Sequence, residues 1–303
     1  MLWSRKFSVM GTECALYLFE DNERYADEIS DAAVAEVLRI EAKYSRYRLD
    51  SELSAINGVA ARGGSIELDE ETSGLLDYAF ACYWQSGGLF DISSGILRRA
   101  WDFNGAALPA PSSIHDLIPL IGLDKLIWQR PLLIFATAGM EIDFGGIGKE
   151  YAADRVAEIC QAAGIAYGLV DLGGDIRLIG HPPDRNPWPI RIRNPREPAT
   201  TIATFHVASG AVATSGSYER YLEVGGQRYC HLLNPATGWP VQGLSSVTVA
   251  AQSCMVAGSI STIAMLKGKK GIGWLASLGL PHLWIDEQGV SGGDLLSSCE
   301  LDQ

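Results

Sequence analysis

Two stretches near the middle of the chain combine acidic residues, glycines and a lysine in a pattern that could hold a ligand. IDFGGIGKEY spans Ile142–Tyr151, and VDLGGDIRLIG spans Val170–Gly180. Each places a glycine pair after an aspartate and an apolar residue, and glycines let a backbone approach a bound molecule closely. The first stretch should lead from a strand into a helix, where free N–H groups and the positive end of the helix dipole favour a phosphate.

Charged side chains flank both glycine pairs. Lys149 adds a point charge suited to a diphosphate, although the spacing fits neither GxxxxGK[ST] nor GxGxxG. Asp171 and Asp175 flank the second pair, and two copies of one signature predict paired loops that face one place. A plain tight turn explains the first stretch equally well, and a solvated structural turn does the same for Asp175.

Two later stretches add hydroxyl groups and a histidine. ATSGSYERY offers Thr214, Ser215 and the Gly216 amide as donors to phosphate oxygens, with a turn held by the hydroxyls as the alternative. In HLLNPATGWP, the Asn-Pro-x-x-Gly pattern predicts a turn that presents His231. A lone histidine is more often structural than catalytic, but the adjacent polar turn weakens that preference.

Composition indicates a folded, acidic, globular protein. The chain has 303 residues, 47% of them hydrophobic, which is enough for a large core. It carries 24 basic and 36 acidic residues, for a formal charge of −12. Because such a charge repels polynucleotides and anionic membranes, we expect no nucleic-acid partner.

Cysteine spacing and apolar runs bear on the cellular compartment. The six cysteines never form CxxC, so reduced, mostly buried thiols are expected in place of a zinc knuckle or disulfide scaffold. The apolar run Cys14–Phe19 is too short for a signal peptide core, and no run approaches the roughly 18 apolar residues of a membrane span. We expect a soluble, cytoplasmic protein without membrane insertion.

Apolar periodicity predicts the helices that must position these stretches. Ile29, Ala33, Val37 and Ile40 recur at helical spacing, and a Gly-Gly pair closes a second helix. The predicted helices cover about Tyr25–Arg46, Glu70–Ser86, Gly148–Ala163 and Cys254–Met265.

Strand-like runs are more frequent in the second half of the chain. They cover Phe7–Phe19 with an interruption at Gly11, a pair at about Leu126–Phe135 and Glu141–Phe144, the VDLGGDIRLIG stretch, Ile190–Arg193 and several runs beyond residue 200. Segments 45–54 and 101–121 predict irregular connections, and 181–198 predicts a proline-rich loop. Helix and strand runs cluster and do not alternate as βαβ units, so the predicted fold class is α+β, with mostly antiparallel sheets and packed helices.

A series of collinear blocks across nearly the whole chain resembles the FAD:protein FMN transferase family, the ApbE-like flavin-transfer enzymes. Besides the four stretches above, the blocks are MGT at Met10–Thr12, YSRYRLDSELSAIN at Tyr44–Asn57, GLFDISSGIL at Gly88–Leu97 and SCMVAGSISTIAMLKG at Ser253–Gly268. The resemblance implies an ApbE-like, T-fold-related, two-lobed single domain over residues 1–303, with room for two intimate subdomains.

The resemblance also implies an activity. Such an enzyme binds FAD, cleaves its diphosphate with a divalent metal, usually Mg²⁺, and passes FMN to a threonine or serine hydroxyl of an acceptor flavoprotein, releasing AMP. The residue types fit this chemistry, because phosphoryl transfer needs positioning and charge neutralisation more than covalent help from the protein.

Site residues follow from the blocks that match. His231 would be the base or orienting group for the hydroxyl, and Lys149 would serve the diphosphate. Tyr47 would lie on the isoalloxazine, with an ordinary core aromatic as the alternative. The positions that would line or support the FAD site are Met10, Gly11, Thr12, Asp91, Lys149, Asp154, Asp171, Gly173, Gly174, Ser215 and Gly216.

The chain departs from the family pattern at the metal site. Where the resemblance expects an aspartate ligand, this chain has Gly258, while Thr262 and the Gly148 carbonyl still match ligand positions. Asn234 replaces another expected aspartate. We hypothesise that the Glu150 carboxylate fills the place left by the missing aspartate. The alternatives are an FAD-binding carrier or regulatory homologue without transferase activity, and a structural protein without a ligand, which would not explain the glycine-flanked polar loops.

Overall fold

The computed structural model describes residues 1–180, 187–197, 199–218 and 220–295. Its helices are α1 Glu23–Tyr44, α2 Glu52–Arg62, α3 Glu70–Ser86, α4 Pro111–Leu117, α5 Gly148–Ala162, α6 Cys254–Lys267 and α7 Lys270–Leu278, with 3₁₀-helices at Ile92–Arg99, Ile118–Leu120 and Leu123–Lys125. Its strands are β1 Leu2–Val9, β2 Thr12–Phe19, β3 Gly64–Glu67, β4 Leu126–Gln129, β5 Leu132–Phe135, β6 Tyr167–Leu172, β7 Asp175–Gly180, β8 Trp188–Arg193, β9 Thr201–Val207, β10 Ala211–Gly216, β11 Tyr221–Val224, β12 Gln227–Cys230, β13 Leu244–Ala251, β14 His282–Asp286 and β15 Ser291–Gly292.

One large antiparallel sheet organises the fold. Its eight strands run in the order β1-β2-β6-β7-β10-β13-β14-β15, and every neighbouring pair is antiparallel. Alternate residues face opposite sides, so Val170 packs into the core beneath the helices. Leu169 faces the other side and packs with Ile190 and Phe205 of the β8–β9 hairpin. The predicted α+β class with mostly antiparallel sheet is therefore confirmed.

Helices α1, α5 and α6 cover one face of this sheet. The apolar positions predicted for α1 are buried, including Val37 and Ile40, and each fully buried Val or Ile stabilises the fold by about 1.5–3 kcal/mol. The Asn22 side chain caps α1 by accepting from the Tyr25 amide at 3.2 Å. At its other end, the Tyr44 ring packs edge-on against Phe144 with centroids 5.4 Å apart. This contact brings the end of α1 to the IDFGG segment.

Two hairpin turns lie side by side at one end of the sheet. The first joins β1 to β2 through Met10 and Gly11, whose φ angles of 52° and 71° are both positive, as short hairpin turns of the primed types require. The Met10 amide donates to Glu41 Oε1 on α1 at 2.7 Å, which fixes an uncommon conformation for a residue with a side chain. The strand predicted over Phe7–Phe19 with a break at Gly11 is thus a hairpin.

The second turn joins β6 to β7 through Gly173 and Gly174, with φ angles of 69° and 93°. The Gly174 amide donates to Asp171 Oδ1 at 2.8 Å. Because β2 pairs with β6, the two turns meet, and a Cβ atom at Gly173 would collide with Thr12 Oγ1. Close approach of the two turns therefore requires glycine at residue 173.

Three expectations for the first half of the chain need correction. Part of the segment predicted as an irregular connection over 45–54 is helical, since α2 begins at Glu52 after Ser51, whose Oγ accepts from the Ser54 amide at 3.0 Å. The segment 101–121 contains α4 and is partly buried, because Trp101 and Ile114 belong to a separate apolar cluster.

The strand predicted over Glu141–Phe144 does not form. The Asn57 side chain forms hydrogen bonds with both backbone polar groups of Ile142. It accepts from the N–H at 2.8 Å and donates to the carbonyl at 2.9 Å. The Asp143 amide donates to the Ile92 carbonyl at 2.9 Å. A side chain and a 3₁₀-helix thus replace the neighbouring strand that a sheet would supply.

Other expectations are confirmed for the described residues. Cys14, Cys82, Cys160, Cys230 and Cys254 are buried free thiols. The Ile190–Arg193 strand lies within β8, while residues 181–186, 198 and 296–303 lie outside the described part of the chain, together with Cys299. Across the described ranges, no helix has both the length and the apolar character needed to cross a bilayer.

Replacing Gly173 by alanine should destabilise the protein more than the same change at Gly225. Both residues have positive φ, +69° and +60°, so alanine causes similar backbone strain at either position. Only at Gly173 does the new Cβ meet another residue, whereas the space at Gly225 is open. We expect urea denaturation to show a loss for Gly173→Ala that exceeds that for Gly225→Ala by about 1–3 kcal/mol. Equal losses would contradict the contact between the two turns.

Candidate active site

A cleft of about 1190 Å³ opens where the two hairpin turns meet the start of α5. The end of α1, strand β8 and strand β10 supply other walls. The sequence-predicted residues that line it are Met10, Gly11, Thr12, Tyr47, Gly148, Lys149, Asp171, Gly173, Gly174, Thr214 and His231. The two Asp-x-Gly-Gly stretches therefore face one place, as predicted from their paired signatures.

The cleft is cationic although the protein is acidic. Among the described residues that line it, the basic ones are Arg46, Arg98, Lys149, Arg191, Arg193 and Arg220, and the acidic ones are Glu13, Glu41, Asp143 and Asp171. Six basic against four acidic side chains in a chain of formal charge −12 mark a site for an anionic ligand. Of these basic residues, Lys149 and Arg220 lie in stretches that the sequence singles out, whereas no pattern in the sequence predicts a role for the other arginines.

Lys149 is held by a buried carboxylate at the start of β7. Its Nζ pairs with Asp175 Oδ2, and the Asp175 side chain is 5% exposed. Burial raises the pKa of Asp175, while the charge of Lys149 and its hydrogen bond act in the opposite direction. Asp175 is therefore not a solvated turn residue. It fixes Lys149 across the base of the cleft.

Glu150 is buried against α6 next to Gly258, the residue that stands where an aspartate was expected. A Cβ atom at Gly258 would lie 2.5 Å from Glu150 Cγ and 2.7 Å from its Oε1, so the glutamate fills the space of the absent side chain. Glu150 is 6% exposed, and its Oε2 is buried without a hydrogen-bond partner among the described residues. Burial, followed by the negative charge of Asp175, raises the pKa of Glu150. Such a group destabilises the fold unless it is neutralised or paired.

Hydroxyl groups lie along the same face of α6. Thr262 follows Gly258 by one helical turn, which places both on one side of the helix. Ser215 Oγ lies 2.9 Å from Thr262 Oγ1 and 2.8 Å from Ser261 Oγ, so β10 and α6 are joined here by hydroxyl contacts. Ser215 lies behind the cleft wall and not on its surface.

Among the described residues, Glu150 Oε2 is the oxygen here that lacks a hydrogen-bond partner and would suit a hard cation. In the described part of the chain, no group of three or more His, Cys, Asp or Glu side chains is arranged to hold a metal. A cation here would instead use the unpartnered oxygen of Glu150, the Thr262 hydroxyl and the Gly148 carbonyl. Mg²⁺ accepts such a site, because it commonly binds one or two carboxylates plus substrate phosphates.

His231 lies in the cleft wall in a defined tautomer. Both its backbone N–H and its ring Nδ1 lie 3.1 Å from the Arg220 carbonyl. A carbonyl only accepts, so Nδ1 carries the hydrogen and the Nε2 lone pair is the acceptor. Burial, with the positive charges of Arg98, Arg220 and Lys149, lowers the pKa of His231 to about 4. The imidazole is therefore neutral near pH 7 and able to take a proton.

Two predicted residues position elements and do not line the described cleft. Asp91 caps the 3₁₀-helix Ile92–Arg99 by accepting from the Ser93 amide at 2.8 Å. Asp154 accepts from the first two amides of α6, those of Cys254 and Met255, at 2.8 and 3.0 Å. These caps hold the helices that carry Arg98 and Thr262.

Aromatic residues lie at the cleft wall and mouth. Tyr47 is 80% exposed, so the alternative of a core aromatic is wrong. Its neighbour Arg46 donates to Asp143 Oδ2 at 2.8 Å and to Glu141 Oε1 at 2.6 Å, which anchors the loop that carries Tyr47. Gly216 stands behind the wall, where a Cβ would collide with the ring of Tyr218, another lining residue.

Comparison with known proteins assigns the chain to a family. The ApbE family model matches residues 10–284. The chain belongs to the ApbE family. An FAD:protein FMN transferase of Treponema pallidum (strain Nichols) is 30% identical over 292 residues, 88% of this chain and 79% of that relative. The solved ApbE protein of Thermotoga maritima superposes with a TM-score of 0.90 at 30% identity over 100% of both chains. The apo flavinyl transferase ApbE of Pseudomonas stutzeri gives 0.86 at 26% identity, over 97% of this chain and 94% of that one.

Membership of the ApbE family confirms the resemblance that the collinear blocks indicated. The ApbE fold is shared along the whole chain although only about a third of the residues or fewer are identical to these relatives. Identity at this level leaves individual site residues free to differ.

His231 should titrate far below an ordinary histidine. NMR of the ring should give a pKa of about 4. In the unfolded chain His231 takes up its proton near pH 6.5, so the stability contributed by its neutral form should be complete above that pH and lost as pH falls toward 4. In the His231→Asn variant, this part of the fall in stability between pH 6.5 and pH 4 should be absent. A pKa at or above 6.5 would contradict the cationic setting of the ring.

Proposed function

We propose that this chain transfers FMN from FAD to a threonine or serine hydroxyl of an acceptor flavoprotein and releases AMP. Its main support is a neutral His231 in the wall of a cationic cleft built from two glycine turns and a helix start. Membership of the ApbE family, with relatives named FAD:protein FMN transferase, supports the same reaction. The acidic surface and cationic cleft favour a small anionic substrate over a polynucleotide.

The geometry of His231 suits proton transfer from the acceptor. Its Nε2 takes the proton of the hydroxyl as that oxygen bonds to the phosphorus on the FMN side. The bond between this phosphorus and the bridging oxygen breaks, and AMP leaves with the electron pair. The Arg220 carbonyl holds Nδ1–H at 3.1 Å and so keeps the ring in the required tautomer. The proton on Nε2 then passes to solvent.

Positive groups in the cleft offset the charge of the diphosphate. Lys149 lies at the start of α5, and the residue before this helix, Ile147, provides no side-chain cap. The positive end of the α5 dipole can therefore serve phosphate oxygens. This arrangement provides the fixed dipoles that phosphoryl transfer needs.

Glu150, Thr262 and the Gly148 carbonyl would hold Mg²⁺. When bound, the ion would neutralise phosphate charge and orient the diphosphate. The fit rests on the partnerless Oε2 of Glu150 and on its place over Gly258. A cation beside this carboxylate would favour its ionised form and offset the effect of burial.

A second candidate is an FAD carrier without transferase activity. The raised pKa of Glu150 favours it, because a protonated carboxyl is a poor metal ligand. Such a carrier would use the same cationic cleft and the same turns. The two candidates differ only in whether the diphosphate is cleaved.

Incubation with FAD, Mg²⁺ and a threonine-bearing acceptor flavoprotein should give an FMN adduct by intact mass and an equal amount of AMP. We expect His231→Asn to slow transfer by about 10²–10⁴-fold, the usual contribution of a general base, while the purified variant still binds FAD. Binding of FAD by the wild type without adduct or AMP would favour the carrier. Full activity of the His231 variant would exclude the assigned base.

Glu150→Gln should weaken Mg²⁺ binding by roughly tenfold or more, because it removes the only carboxylate of the proposed donor set. Calorimetric Mg²⁺ titration of FAD-loaded protein measures this. Glu158→Gln, an exposed change on the same helix, is the matched control and should have no effect. Glu150→Ala combined with Gly258→Asp should recover part of the affinity, because it returns one carboxylate to the same space. Unchanged affinity in Glu150→Gln would refute the metal assignment.

A further inference from the structure

Two arginines from separate elements share the cleft wall with His231. Arg98 is on the 3₁₀-helix Ile92–Arg99, and Arg220 immediately precedes β11. All three residues line the same cleft. The histidine is tied to the Arg220 main chain by two contacts of 3.1 Å, so the ring and this arginine are held together.

Neither guanidinium has an anionic partner in the described part of the chain. Arg98 is half-buried and Arg220 is exposed, and no described side chain forms an ion pair or hydrogen bond with either of them. The neighbouring arginines behave differently: Arg99 lies 2.8 Å from Glu141 Oε2, and Arg46 lies 2.8 Å from Asp143 Oδ2. In a chain with 36 acidic residues, two cleft arginines without a carboxylate are suited to a negative charge brought by a ligand.

Arg98 and Arg220 lie close enough to the imidazole for their charges to act on it. The positive charges of Arg98 and Arg220 act on His231 in the same direction, toward a lower pKa. An anion bound between the arginines would therefore lie beside the base. In the proposed reaction, the hydroxyl lies within about 3 Å of His231 and attacks the phosphorus directly, so the anion nearest the ring is the phosphoryl group under attack.

We propose that Arg98 and Arg220 form a clamp for the FMN-side phosphoryl group, with their N–H groups donating to its non-bridging oxygens. This inference rests on the proposed function for the identity of the ligand. The planar fork of each guanidinium matches two phosphate oxygens. During transfer, negative charge spreads over those oxygens, so contacts with the clamp strengthen as the hydroxyl attacks and the bridging bond breaks.

The clamp is tested first by binding, with inorganic pyrophosphate as the probe and without Mg²⁺. Calorimetry should show affinity reduced by about tenfold in Arg98→Gln and in Arg220→Gln, in line with the loss of one charge-assisted pair. Arg99→Gln is the matched control, because this adjacent arginine already pairs with Glu141. Urea unfolding of each variant shows whether the fold is intact. Pyrophosphate binding equal to that of the wild type in both clamp variants would overturn the proposal.

NMR titration of His231 gives a second readout. In the wild type, saturating pyrophosphate should raise the pKa of the ring, because the anion offsets the positive charge of the arginines. In the double variant Arg98→Gln/Arg220→Gln the pKa should already be higher without ligand, and pyrophosphate should change it less. The same shift in the wild type and the double variant would also overturn the clamp.

Transfer kinetics separate the clamp from the proposed function. We expect each variant to lose about 10²–10³-fold in kcat, as when one oxyanion donor is removed, with little change in the KM of the acceptor. Arg98→Lys should recover part of the loss, because it keeps the charge without the fork. A higher acceptor KM with unchanged kcat would assign the arginines to acceptor docking and reject the clamp. If the wild type binds pyrophosphate through the arginines but transfers no FMN, the proposed function fails and the anion site remains.

Discussion

The site depends on an unequal number of buried charges where α5 meets β7 and α6. Lys149 and Asp175 form one pair, and Glu150 adds a second buried carboxylate without a counter-charge of its own. A buried ionised carboxylate strongly destabilises a fold unless it is paired, so this group must either take up a proton or bind a cation. The Glu150 side chain occupies the space that a Cβ at residue 258 would fill, so its carboxylate is buried against α6 and confined to this choice. Chemistry at the diphosphate depends on which state prevails.

The other features of the cleft extend the same electrostatic arrangement. Its wall is cationic in an acidic protein, which favours an anionic ligand, and burial together with these charges keeps His231 neutral near pH 7. A neutral ring beside uncompensated arginines is suited to a reaction in which a hydroxyl proton is removed next to a phosphoryl group. The glycine turns add close backbone approach, and the strand pairing of β2 with β6 keeps the two turns together.

Local signals in the sequence explain which parts of the fold could be predicted. Helix α3 has the predicted bounds because Asp69 caps its start and Gly87, in the left-handed conformation, ends it. The segment at Ile142 could not be identified as irregular, because a distant side chain, that of Asn57, takes its backbone groups. Helix α2 was not predicted, because polar residues at its start are typical of turns and of helix caps alike.

In the candidate site, too, residues within a local motif could be predicted and residues brought together by folding could not. The glycine turns and His231 have motifs of their own, and the contact of Glu150 with Gly258 agrees with the hypothesis that Glu150 fills the place of the missing aspartate. Arg98, Arg191 and Arg193 carry no pattern, since they converge only when separate elements fold together. The burial of Asp175 likewise depends on tertiary packing that no local spacing encodes.

The most direct test of this account is anomalous diffraction from crystals grown with FAD and Mn²⁺, a redox-stable substitute for Mg²⁺ with a usable anomalous signal. The account predicts one strong peak within coordination distance of the Glu150 carboxylate and the Thr262 hydroxyl, in contact with the diphosphate. A bound FAD with no peak at this place, and with the Glu150 carboxyl still packed on Gly258 without a ligand, would contradict it.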